Sequence, residues 1–219
     1  MDSSVDTVRF NLTGVPLPTG VDWIEIHRSL ANDGVPCPFQ GGLFRPITTP
    51  FWIRSGTSSI LAFGRASISL VIGVELGSCH VLQILDAPGY PVSFVNSSIL
   101  CFTKSVLWMA KRYPFYDADC EDTCRMMVAN ELRDSLGSID GPCMGEDTFW
   151  GELYWDMANG DWSTADIGMK HTDWSKYQDV PPPWWKHPEF YLKPQLDAIK
   201  LTDQEARTWL AGSSIKESS

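Results

Sequence analysis

The stretch Pro91-Val-Ser-Phe-Val-Asn-Ser-Ser-Ile-Leu-Cys-Phe-Thr-Lys-Ser-Val-Leu-Trp-Met-Ala-Lys-Arg-Tyr-Pro114 is where the chain changes its hydrophobic period. Asn96-Ser97-Ser98 offers side-chain oxygens suited to capping a helix N-terminus. Beyond them Ile99, Phe102, Val106, Met109, Ala110 and Tyr113 recur at three- and four-residue spacing until Pro114 stops the run. The spacing predicts an amphipathic helix of about four turns.

Upstream the pattern is different. Leu43-Phe44, Phe51-Trp52-Ile53, Ile60 to Phe63, Ser67 to Val74 and His80 to Leu85 are short runs rich in β-formers. They are separated by glycine, proline and polar residues, with Asp86-Ala-Pro-Gly89 reading as a turn. Downstream, a second helix is expected from about Asp119 to Leu136, stopping before Gly137, and a third from about Glu146 to Ala158, closed by Asn159-Gly160. Both open with acids, which suit the positive end of a helix dipole. Strands followed by helices, without βαβ alternation, give an α+β fold: a mainly antiparallel sheet of about five or six strands backed by helices.

The organisation reads as three parts. Residues 1–34 form an N-terminal lead-in with a short helix around Val21 to Leu30, and residues 35–165 form the α+β domain. Residues 166–219 form a tail rich in tryptophan and proline, including Pro181-Pro182-Pro183-Trp184-Trp185, expected to pack on the body as an extended segment. In it Thr202-Asp-Gln-Glu205 is a capping box for a short final helix, and the last residues are expected to be disordered.

With 219 residues, 43% of them apolar, the chain can bury a sizeable core. Its net charge of −10 is unevenly distributed. Between Asp117 and Asp166 thirteen acids face only Arg125 and Arg133, a net of −11, while the rest of the chain is nearly neutral. This balance argues against direct nucleic-acid binding, which depends on lysine and arginine displacing counterions from phosphate. Two readings of the acidic segment are open: a solvated surface that maintains solubility, or a field that steers and holds a basic partner.

The start, MDSSVDTVRF, carries acids where a signal peptide would carry positive charge, and the apolar run from Ile68 to Leu76 is interrupted by Ser69, Gly73 and Glu75. A cytoplasmic protein with no membrane span is therefore expected. In that compartment the six cysteines should be thiols, mostly acting as small buried hydrophobes.

Residues able to support catalysis are sparse. No Gly-x-Ser-x-Gly elbow occurs, and the adjacent Cys79-His80, read as part of a strand, would point to opposite faces and form no thiolate–imidazole pair. Cys120-x-x-x-Cys124 puts two thiols on one side of the second helix, half of a zinc site. The spacing does not dictate further ligands from Cys143, His171 or His187, so packing is the plainer reading and no metal is expected. No glycine pattern matches a phosphate cradle, and no cofactor is expected. The remaining candidates are the carboxylates Asp119, Glu121, Asp122, Asp140, Glu146, Asp147, Glu152 and Asp156, expected to share one outward surface. In the third helix Trp150, Leu153, Tyr154 and Met157 would take the core side and Glu152 and Asp156 the other.

Five segments together resemble a known family. They are Ile60-Leu-Ala-Phe-Gly64, Ser69-Leu-Val-Ile-Gly73, Val81-Leu-Gln-Ile-Leu85, Pro91 to Phe102 with its Phe-Val-Asn-Ser-Ser core, and Phe149-Trp-Gly-Glu-Leu-Tyr154. Over about residues 35–160 the order is similar to that of the SUKH superfamily, in particular its fourth group of immunity proteins. The resemblance implies an α+β fold and a binding role, not an enzymatic one. Bacterial members neutralise polymorphic toxins, many of them nucleases or nucleic-acid deaminases, and eukaryotic and viral relatives act as adaptors or regulators. The partner implied is a cognate basic protein toxin, and the alternative is an intracellular adaptor of the same fold. The resemblance carries no catalytic residue.

Overall fold

The computed structural model describes residues 7–10, 12, 23–36, 44–55, 58–66, 70–85, 92–163 and 199–200. The strands are β1 (Thr7–Val8), β2 (Val35–Pro36), β3 (Arg45–Ser55), β4 (Ser58–Arg65), β5 (Leu70–Glu75), β6 (Val81–Leu85), β7 (Ser93–Asn96) and β8 (Ile199–Lys200). The helices are α1 (Trp23–His27), which continues as a wider turn through Asp33, α2 (Ile99–Arg112), α3 (Asp122–Ile139) and α4 (Phe149–Asn159). The fold is α+β, as the change of period predicts.

Five consecutive strands, β3 to β7, pair antiparallel as a meander, and β8 adds a short sixth strand beside β3. Of the expected run at Leu43-Phe44, Phe44 stands just ahead of β3 and Leu43 lies outside the described residues; β3 is a long strand that takes in Phe51 to Ile53. It tolerates Pro46 and Pro50 because its pairing with β4 shifts register between Pro46 and Phe51. Proline lacks the N–H a regular ladder needs, and a register shift removes that demand.

Alternation along the strands fills both faces of the sheet. Leu61, Phe63, Ile72, Val74, Val81 and Val95 belong to the main core, while Ile53, Ile60, Ala62, Val71 and Ile84 form a second buried cluster. The main core receives Phe102, Val106 and Met109 from α2. Phe102 meets Phe44 and Phe63 edge to face, with centroids 4.9 and 5.6 Å apart. Burial of each ring contributes roughly 1.5–3 kcal/mol. The residues before β2 also belong to this core: Phe10, Leu12, Ile26 and Leu30 are buried in it. The Phe10 N–H donates to the Leu30 carbonyl at 3.0 Å.

Helix α2 begins where the sequence indicates. Ser98 is its N-cap and accepts from the Cys101 N–H at 3.1 Å. Helix α3 departs from expectation at both ends. It starts after Glu121, and it runs through Gly137 to Ile139. Leu136 is fully buried and Ile139 packs on the core, so apolar burial offsets the glycine's cost of about 1 kcal/mol. Helix α4 starts at Phe149, three residues later than expected, because Thr148 supplies the cap: its Oγ1 accepts from the Gly151 N–H at 3.1 Å. It closes on Gly160 at φ 99°, the left-handed conformation the Asn-Gly pair predicts.

Of the tail after Asp166, the described residues are Ile199–Lys200, which pair with Ile53 and Arg54. The expected final helix and disordered end lie outside the described residues.

Candidate functional site

Helices α3 and α4 follow one another through a 3-10 turn at Gly141–Met144 and fold back as an antiparallel hairpin. Tyr154 of α4 reaches Met126 and Asn130 of α3, and the Arg133 guanidinium stacks 5.4 Å from the Tyr154 ring centre. Near the start of α3, Arg125 Nη1 lies 3.0 Å from where a Cβ would stand at Gly160. Each helix buries one face: Val128, Ala129, Leu132 and Leu136 from α3, and Trp150, Leu153 and Met157 from α4.

The carboxylates lie partly on the helices and partly before them: Asp122 is in α3 and Glu152 and Asp156 are in α4, while Asp119, Glu121, Glu146 and Asp147 are in the segments that lead into these helices. Asp119, Glu121, Asp122, Glu146, Asp147, Glu152 and Asp156 are all exposed. They do not form one tight cluster. Asp119, Glu121, Asp122 and Asp156 lie toward the end of the hairpin where α3 starts and α4 finishes. Glu146 and Asp147 lie at the other end, about 16 Å away by the length of an eleven-residue helix, with Glu152 between. Asp122 pairs with Arg125 at 3.3 Å, an exposed contact worth little.

Asp140 corrects the expected set. It is only 7% exposed, and its carboxylate is directed into the protein. Its Oδ2 accepts from Asn96 Nδ2 at 2.9 Å and from the Ser97 N–H at 2.7 Å, and its Oδ1 accepts from the Ser97 hydroxyl at 2.8 Å. A carboxylate with its lone pairs committed to buried donors is a structural anchor, not a partner contact.

The two cysteines of the Cys-x-x-x-Cys pair are a second correction. Cys120 and Cys124 are joined by a disulfide, with Cα atoms 6.0 Å apart, where thiols were expected. The four-residue spacing that resembles half a metal site puts the two sulfurs against each other at the start of α3. Among the described residues no group of three His, Cys, Asp or Glu side chains is placed to hold a metal ion. Cys79 and His80 are in the β5–β6 turn and not within a strand, Cys79 at φ 61°. The His80 N–H donates to Ser78 Oγ, which itself donates to Glu75 Oε2 at 2.6 Å, so this polar group serves the turn. Among the described residues no helix is long and apolar enough to cross a membrane.

Two features of the surface are absent from the sequence reading. One is apolar exposure on the hairpin: Met127 is 72% exposed and Trp155 55%. Trp155 projects opposite the buried Trp150, Leu153 and Met157, beside Glu152 on the polar arc of α4, so a helical projection would have located it. The other is a cleft of about 710 Å³ between the end of α2, residues 115–121 and α3. Phe115, Tyr116, Met127 and Val128 line it together with the disulfide, and Asp117, Asp119 and Glu121 stand at its edge. Arg112 and Glu131 form one wall and neutralise each other through a bidentate pair at 3.0–3.1 Å. The cleft draws on segments far apart in sequence, so no local motif announces it.

No protein-family profile, curated protein or solved structure matches the chain.

Proposed function

We propose that this chain is an immunity-type binding protein that neutralises a basic protein toxin of nuclease or nucleic-acid deaminase type, docking it on the acidic face of the α3–α4 hairpin. One observation carries the reading: seven of the eight carboxylates expected to contact a partner are exposed on two helices, or on the segments leading into them, and each helix buries another face in the core. A fixed array of like charges raises association rates with a partner of opposite charge and suppresses unlike partners. An enzyme that handles nucleic acid carries the complementary field, because it must hold phosphate. The likeness of five segments to the fourth SUKH group supports the same role, and in this role the chain performs no catalysis.

The test pairs the purified protein with the product of the gene directly upstream of its own. Binding should inhibit that product, and association should slow steeply as salt is added. Reversing Asp119, Glu121 and Asp156 to lysine should weaken binding while leaving the melting temperature nearly unchanged. Tight binding that ignores both salt and these reversals would show that the partner docks elsewhere.

A further inference from the structure

We infer that the cleft beside α3 is the seat of a lysine or arginine side chain that a protein partner inserts. The inference rests on the reading of the acidic face as a protein-docking surface and names its central contact. The cleft's composition selects the occupant. The buried Phe115 and Val128 give it an apolar lining, the exposed thioether of Met127 stands at its mouth, and its volume of about 710 Å³ exceeds what one small side chain fills. Its edge is anionic: Asp117, Asp119 and Glu121 are exposed, and among the described residues they enter no ion pair. The cationic residue in the wall, Arg112, does not oppose this field, because Glu131 holds it bidentately.

A purely apolar anchor would waste the acidic edge, and a small cation would leave the apolar lining wet. A side chain with a hydrocarbon stem and a positive tip satisfies both, its stem on Met127 and its head among the carboxylates. Arginine adds a planar fork that a carboxylate can accept at two points, and its face can stack on Phe115 or Tyr116. Met127 is unbranched and 72% exposed, so it can adjust to either stem. This places the anchor at one end of the hairpin and makes the acids at the other end contributors of field, not contact.

The test uses the full chain and a fluorescein-labelled lysine–leucine peptide as the basic probe, with a lysine–glycine peptide of equal length beside it, both read by anisotropy at low salt. Asp119→Asn with Glu121→Gln should weaken binding of either peptide about tenfold. Glu146→Gln with Asp147→Asn, the same charge loss at the far end of the hairpin, about 16 Å away by the length of α4, should weaken it only about twofold. Met127→Ser should weaken both peptides, because each carries the lysine stem that packs on Met127, and no loss for either would overturn the stem contact. Equal losses from the two neutralised pairs, with binding still salt-dependent, would overturn the cleft and leave the acidic face as the docking surface. If neither peptide binds even at low salt, the cleft and the docking surface both fail. Circular dichroism of each variant confirms that a loss is not unfolding.

Discussion

Trp150 Nε1 donates a 2.9 Å hydrogen bond to Asn96 Oδ1, joining the helix α4 motif Phe-Trp-Gly to the Phe-Val-Asn-Ser-Ser segment fifty-four residues earlier. Asn96 in turn donates to Asp140 at the end of α3, and its amide also lies 3.5 Å from Ser105 Oγ of α2. The two most distinctive segments of the sequence therefore meet in one buried polar network that fixes how the hairpin sits on the sheet.

Trp150→Phe keeps an aromatic ring but a smaller one, so it leaves both Asn96 Oδ1 without its donor and a gap at a fully buried site, which together should cost about 2–4 kcal/mol. Asp140→Ala strips acceptors from both Asn96 and Ser97 and should cost about 3 kcal/mol or more. Urea unfolding of both variants measures this. A loss below about 1 kcal/mol for Asp140→Ala would mean the carboxylate is not the anchor described.

Gly151 has no room for a side chain: a Cβ there would overlap the Gly145 carbonyl oxygen. Gly151→Ala should destabilise by about 1–3 kcal/mol by forcing the Thr148 cap away from α4. Gly141→Ala is the control, since open space surrounds that position, and thermal melts of the pair should separate them.

Burial pushes the Cys143 thiol up to about 12, with the negative charge of Asp140 and then Cys101 acting in the same direction. The protonated thiol is favoured by folding, so its contribution is complete below the ordinary value of 9.0 and is lost as pH rises from there toward about 12. Urea midpoints taken across that window should fall more steeply for the wild type than for Cys143→Ala. Near neutrality Cys143 should also resist thiol reagents, which attack the thiolate, while the half-buried Cys79 and Cys101 react first.

The Cys120–Cys124 bridge closes a short loop at the start of α3, and the chain-entropy model assigns such a loop about 2 kcal/mol. Dithiothreitol should lower the melting temperature of the wild type to that of the Cys120→Ser, Cys124→Ser double variant and should not move the variant. Equal melting temperatures with and without reductant would show that the bridge does not stabilise the fold.

What the sequence determined by itself was the class of fold and the location of its charge. The switch of hydrophobic period at Asn96 separated sheet from helices, because a strand and a helix bury side chains at different intervals. The caps at Ser98 and Gly160 could be read because capping is a local hydrogen-bonding requirement. Tertiary structure decided the rest. Gly137 stayed helical because Leu136 and Ile139 had somewhere to pack. Asp140 turned inward because Asn96 and Ser97, more than forty residues away, required an acceptor. The cleft exists only where α2, α3 and the segment between them come together, and its charge pattern depends on Arg112 finding Glu131. Local periodicity records which side of an element faces inward; it does not record which distant partner completes a buried bond, and that pairing decides which carboxylates remain on the surface.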